Sequence, residues 1–287
     1  MAYAIVVLHT NSISSTLYEV SNKIWAQPPP GSRKPRFTRE EIAAVALEIA
    51  DREGFDALSM RRIADALGAG TMTLYYYIRT KDDLFTLMDD ALMAEVVRRC
   101  TPLPEHWRSA VELISHAMRE TFLRHPWALH ALEGARIGPN GLGHVEQSLR
   151  ALEGLDLTLA EKLEILSIVD DFTFGTVLRD REAHAAVDST FDAGAINDVS
   201  KEYLATGDYP IMSRLIGDRE PLDAFMEFVG IMTDKTRFDR GLALILDGFA
   251  AKFGLPERPA GPPALNAKPP KRGRARNARD RARRGSR

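Results

Sequence analysis

Between Ser59 and Lys81 the chain reads S-M-R-R-I-A-D-A-L-G-A-G-T-M-T-L-Y-Y-Y-I-R-T-K, and the two glycines at its centre limit what this stretch can become. Ser59 is placed as an N-cap, because its hydroxyl can accept from a free amide of the first helical turn. Ile63, Ala66 and Leu67 follow at helical spacing and give one apolar stripe. Gly68 then stops the helix in a left-handed conformation that costs glycine nothing sterically. A second helix starts near Thr71, with Leu74 and Ile78 four apart on its buried side. Thr71, Met72, Thr73, Tyr75 and Tyr76 remain outside, followed by Arg79 and Lys81. Two short helices meeting at a tight turn, with hydroxyls, phenols and bases facing out, predict a helix-turn-helix set into a DNA major groove. On residues alone, a packed aromatic cluster at Tyr75, Tyr76 and Tyr77 stays open as the other reading.

The runs L-S-M-R-R-I-A-D-A-L-G, T-L-Y-Y-Y-I and T-K-D-D-L fall in register over Thr38 to Met93. Together they resemble the DNA-binding domain of the TetR (tetracycline repressor) family of bacterial regulators. The resemblance implies an arginine fork at Arg61 reading guanine bidentately, with Thr71, Met72 and Thr73 over base edges. It also implies Tyr75, Tyr77 and Lys81 as clamps on the phosphate backbone. Tyr76 shares the outward face. Thr38 stands at a helix N-terminus, where free amides and a hydroxyl favour a phosphate.

Charge separates the chain into parts with different partners. The whole carries −2, yet Pro256 to Arg287 holds eleven Lys or Arg against two acids, and Gly31 to Lys81 holds nine against seven. From Asp82 to Leu255 there are 17 bases and 30 acids, so the body repels nucleic acid while both ends attract it. The single cysteine, Cys100, cannot form an intramolecular disulfide, which points to a reducing cytoplasm. Apolar runs are broken by charge well short of a membrane span. The opening M-A-Y-A-I-V-V-L-H-T lacks the basic start and cleavage site of a signal peptide.

The expected architecture is all-α in two domains. Residues 1–36 form a flexible extension whose Q-P-P-P-G-S-R-K-P-R run is a linker by composition, with a short helix or disorder between Tyr18 and Trp25. Arg33, Lys34 and Arg36 either follow the DNA backbone or are simply solvated. Residues 37–97 form the three-helix DNA-binding domain, opening with the capping box Thr38 to Glu41. A helix from Lys81 to Cys100 leads out of it. Residues 104–254 form an all-helical effector-binding and dimerisation domain, and 255–287 a disordered basic tail. Within the larger domain, G-P-N-G-L-G at 138–143 reads as a loop, Thr158 caps a helix to about Ala186, and 187–218 read as irregular with short helical pieces. W-R at Trp107, H-P-W at His125 and G-P-N-G-L at Gly138 resemble the effector domain of the tetracycline-repressor branch. That implies dimerisation through the helices at 158–186 and 238–253.

Met118, Phe122, Trp127, His130 and Phe172 are candidates to line an effector cavity. Where the family's tetracycline–magnesium site needs polar ligands this chain has Val97, Leu113, Ile114 and Met118, which favours a more apolar effector and no metal. Glu112, His116 and Glu120 share a helix face, but such triplets recur on solvated faces and lack convergent ligands. No cofactor is expected: G-x-S-x-G, P-loop and H-E-x-x-H signatures are missing, and the glycine-rich run follows no strand. The reading is a ligand-responsive transcriptional regulator, a homodimeric repressor on a palindromic operator. An activator or tail-assisted DNA binder, and an all-α enzyme or small-molecule carrier, are the alternatives.

Overall fold

The computed structural model describes residues 23–26, 36–131, 137–187, 192–232, 234 and 236–256. No strand occurs among them. Through Pro256 they belong to one compact unit. A four-residue turn of helix, α1 (Lys23–Ala26), precedes α2 (Arg39–Glu53), α3 (Met60–Ala66), α4 (Thr71–Leu74) and α5 (Lys81–Arg99). Then follow α6 (Trp107–Arg124), α7 (Ala128–Ala131), α8 (Pro139–Ala151) and α9 (Leu159–Val187). The chain closes with α10 (Ala193–Ala205), α11 (Pro210–Ile216), α12 (Pro221–Met232) and α13 (Arg237–Phe253).

Local signals explain most of these boundaries. Thr38 and Glu41 cap each other's amides at α2, and Thr80 with Asp83 repeat the device at α5. At α9, Thr158 Oγ1 accepts from the Glu161 amide while Glu161 accepts from the Thr158 amide. Asp192 caps α10, and prolines open α11 and α12. Ile42, Ala46, Ile63, Leu74, Ile78 and Met88 are at or near zero exposure and form the centre of the first bundle.

Helix α5 serves both halves of the molecule. It packs on α2 and on α8, and its pairing with α8 is the most extensive helix pair among the described residues. Asp90 on α5 makes that pairing specific. Its buried carboxylate accepts from the Asn140 amide at 2.8 Å, the Gly141 amide at 3.1 Å and the Asn140 side-chain amide at 2.7 Å. The two backbone amides are orphan donors of a helix N-terminus, which also favours the negative charge. Farther along, Gln147 on α8 donates to the Val97 carbonyl at 3.1 Å.

Four expectations are corrected. G-P-N-G-L-G is not a loop but the first turns of α8, with Pro139 as its first residue. Asp90 supplies from 50 residues away the cap that local sequence lacks, offsetting the low helix propensity of Gly141 and Gly143. Residues 192–218 are mostly helical, as α10 and α11. The extension is not free throughout: Ile24 of α1 is 1% exposed and packs in the core. At the other end Leu255 is buried and Pro256 accepts from Trp107 Nε1 at 2.9 Å, so both belong to the body rather than the tail. Residues 1–22, 27–35 and 257–287 lie outside the described residues.

A Cβ on Gly138 would overlap the Asp90 carboxylate and stand 2.6 Å from Trp25 Cζ2. Asp90→Ala, which leaves the α8 amides unpaired, should lower stability by about 1–3 kcal/mol. Gly138→Ala should also destabilise, by forcing that cap apart. Denaturant unfolding checks both, and unchanged midpoints would contradict the assignment of Asp90 as the cap of α8.

Candidate nucleic-acid interface

The helix-turn-helix is built from α3, a four-residue turn and α4. Ser59 Oγ accepts from the Arg62 amide at 3.1 Å, fixing the start of α3. Gly68 has φ 61°, the left-handed conformation its position requires, and the Ala69 amide bonds back to Ala64 at 2.9 Å. Arg36 donates to the Gly68 carbonyl at 2.7 Å, so this arginine braces the turn from before α2. Arg33 and Lys34 lie outside the described residues.

The one-turn α4 and the residues after it divide by face. Leu74 and Ile78 are fully buried, while Met72 is 75% and Tyr76 77% exposed. Tyr75, Arg79 and Lys81 are exposed, and Thr71 and Thr73 half-buried. Lys81 Nζ lies 5.3 Å from the Phe85 ring centroid, which steadies the side chain. Arg61 is exposed. Its neighbour Arg62 turns back, pairing with Glu53 at 2.6 Å, and the Arg62 and Arg52 guanidiniums hold the Glu53 carboxyl down at about 2. Of the two adjacent arginines, one is therefore spent within the fold and the other faces outward.

Thr38 is exposed, but its hydroxyl accepts from Glu41 and two glutamates stand in the first turn of α2, so the helix end is less attractive to a phosphate than the sequence suggested. Tyr77 is the clear correction. It is 6% exposed, its ring sits edge-on to Phe37, and its hydroxyl accepts from the Phe37 amide at 3.3 Å. Tyr77 is a core residue of the head rather than an outward phenol.

Of the five residues expected to line one cavity, the four whose side chains are described fall in different places. Met118 and Phe122 are buried on the inner face of α6, with Phe122 edge-on to Phe174 of α9. Phe172 instead stacks on Phe238 of α13. Trp127 stacks on Phe55 in the turn after α2, and its Nε1 donates to Asp51 at 2.8 Å, so it joins the head to the body. The side chain of His130 lies outside the described residues. Sequence reasoning missed His144, which is 4% exposed on α8 with both ring nitrogens unpaired. Burial pushes it down to about 4, so the ring is neutral. Its only sequence signal was a histidine on an apolar helix face. Cys100 is buried, which pushes its thiol up to about 11 and makes it a poor nucleophile.

The Glu112, His116 and Glu120 triplet is explained by partners. Glu112 pairs with Arg108 at 3.2 Å, His116 with Asp239 at 3.3 Å, and Glu120 with Arg99. No group of metal-ligating side chains converges among the described residues, and none of their helices is long and apolar enough to cross a membrane.

Two family models match this chain: the bacterial regulatory proteins, tetR family, over residues 42–88, and the tetracyclin repressor-like C-terminal domain over 101–253. An HTH-type transcriptional repressor, DrrR1 of Streptomyces coeruleorubidus, is 31% identical over 77% of this chain and 80% of its own. An HTH-type transcriptional regulator of Saccharopolyspora erythraea is also 31% identical, over 85% and 98%. Among solved structures, the TetR family protein ActR of Streptomyces coelicolor, in complex with actinorhodin, superposes with a TM-score of 0.53 at 26% identity. That match covers 76% of this chain and 99% of ActR. A helix-turn-helix head followed by a helical body of the matching kind, with relatives similar over most of their length, places this chain in the TetR family of bacterial transcriptional regulators.

Proposed function

We propose that the protein is a cytoplasmic, homodimeric repressor that binds a palindromic operator through α3 and α4 and is released by a small molecule held in its body. Regulators of this family act by binding DNA rather than by catalysis. The observation that carries the reading is the outward face of α4. Met72 and Tyr76 expose three-quarters of their surface beside a fully buried Leu74, so neither contributes to the core. In this reading Arg61 takes a guanine, Thr71, Met72 and Thr73 meet base edges, and Tyr75, Tyr76, Lys81 and the Thr38 hydroxyl position the backbone. The repressor sense rests on the similarity to DrrR1.

The effector site in this proposal lies among α6, α8 and α9. Met118, Phe122 and Phe174 offer apolar walls, and the neutral, unpaired His144 offers a hydrogen-bonding group. An effector with an apolar body and at least one polar substituent fits better than a wholly apolar one. Dimerisation would use α9 and α13, which pack together and expose Ile168, Leu244, Gly248 and Ala251. Two copies would hold their α4 helices about 34–36 Å apart, one turn of DNA.

Two measurements test this. Arg61→Ala should cost about 1–3 kcal/mol on the operator and far less on random duplex, whereas Lys81→Ala should weaken both equally and lower the salt slope by about one. Equal losses from Arg61→Ala on both duplexes would move that residue to the backbone. Sedimentation at micromolar concentration should show a dimer, and Leu244→Glu, which buries a carboxylate in the expected interface, should leave monomers. A wild-type monomer would refute the assembly.

A further inference from the structure

Helices α10, α11 and α12 form a small module, each packing chiefly on the other two. Gly207, at φ 80°, turns the chain out of α10 and brings Tyr209 back to Tyr203. The two rings meet edge to face, with centroids 6.5 Å apart and planes at 89°. The Leu222 amide donates to Asn197 Oδ1 at 2.8 Å and Lys201 pairs with Glu220 at 2.6 Å, which pins the start of α12 to α10. The module holds an open cavity of about 260 Å³. Its lining is Ser200, Tyr203 and Leu204 of α10, Tyr209 and Met212 at the start of α11, and Phe225 of α12. Ser200, Tyr203 and Leu204 stand three and four apart, so one helical face supplies a whole wall.

The lining decides what fits. Three aromatic rings and the soft Met212 thioether suit a further aromatic ring, by edge, face and sulfur contacts. Ser200, Tyr203 and Tyr209 add three hydroxyls, and none of these is tied into a hydrogen bond among the described residues. A hydroxyl both donates and accepts, so each can meet a polar substituent of either kind. No charged side chain lines the cavity, and an ion would enter it without a counter-charge. The volume is somewhat below the roughly 300 Å³ at which drug-sized pockets begin, and suits one or two fused rings. We propose that this module is a second small-molecule site, separate from the effector site among α6, α8 and α9, for an uncharged one- or two-ring aromatic compound bearing a hydroxyl. The rings of Tyr203, Tyr209 and Phe225 hold the aromatic body, and the hydroxyls meet its substituent. Side chains of one chain supply this lining, so the site needs no partner to complete it.

The test is a calorimetric titration of the full-length protein with β-naphthol at neutral pH. β-Naphthol should bind, and naphthalene, which lacks the hydroxyl, and β-naphthoate, which brings a charge, should each bind at least about fivefold more weakly. Tyr203→Ala removes a wall and should weaken β-naphthol by at least about fivefold. Tyr203 is exposed, so the fold survives its loss. Met212→Trp, which fills the cavity, should abolish binding there and gives a second readout of the same site. No binding of β-naphthol, or equal binding by the wild type and both variants, overturns the proposal. Naphthalene or β-naphthoate binding as tightly as β-naphthol overturns the ligand class. Binding seen only in the monomeric Leu244→Glu protein also overturns it, by giving the cavity to a second copy of the chain.

Discussion

The buried carboxylate of Asp90 is the contact on which the arrangement of the two halves turns. A single side chain on α5 satisfies the first amides of α8, and in doing so locks the helix leading out of the reading head to a helix of the body. A charge this deeply buried is tolerated because three donors meet it and a helix N-terminus faces it. Take the carboxylate away and α8 starts without a cap. Crowd it, as a side chain on Gly138 would, and the same register is lost. Because α5 begins one residue after Thr80, beside the helix-turn-helix, the cap ties α8 to the same continuous element that starts at the DNA-binding head.

The second tie lies on the opposite flank of α5, where Asp51, Glu95, His125 and Trp127 join α2 to the end of α6. The two ties differ in chemistry. The Asp90 cap is a carboxylate on backbone amides, whereas the second tie joins side chains, with His125 Nδ1 and Trp127 Nε1 both 2.8 Å from Asp51 Oδ1. A regulator needs a head held firmly enough to read DNA and loosely enough to be released. Such a balance can be shifted only by an interaction that differs between the two states.

The head was legible in the sequence because its signals are local. Ser59, Gly68 and the Leu74–Ile78 pair each act within a turn of where they stand, and the structure keeps all of them. Tyr77 stayed undecided between a phosphate contact and the core because three consecutive tyrosines give no clue to which one a short helix turns inward, and only the approach of Phe37 from before α2 decides it. The body was harder. The start of α8 depends on Asp90, about fifty residues earlier, so a stretch with three glycines and a proline looked like a loop. Trp127 and Phe172 looked alike as aromatic residues near a cavity, but long-range packing sends one to Phe55 and the other to Phe238. His144 carried no periodic signal beyond its helix face, since what marks it is the absence of a partner in three dimensions.

The central claim is that α5 couples the DNA-facing helices to the body through the Asp90 cap. Amide hydrogen exchange, compared between the free protein and the protein on its selected operator, addresses it without knowledge of the effector. Operator binding should slow exchange across Thr71 to Lys81 and also at the amides of Asn140 and Gly141, which bond to Asp90. Protection confined to the helix-turn-helix, with the α8 amides unchanged, would contradict the account.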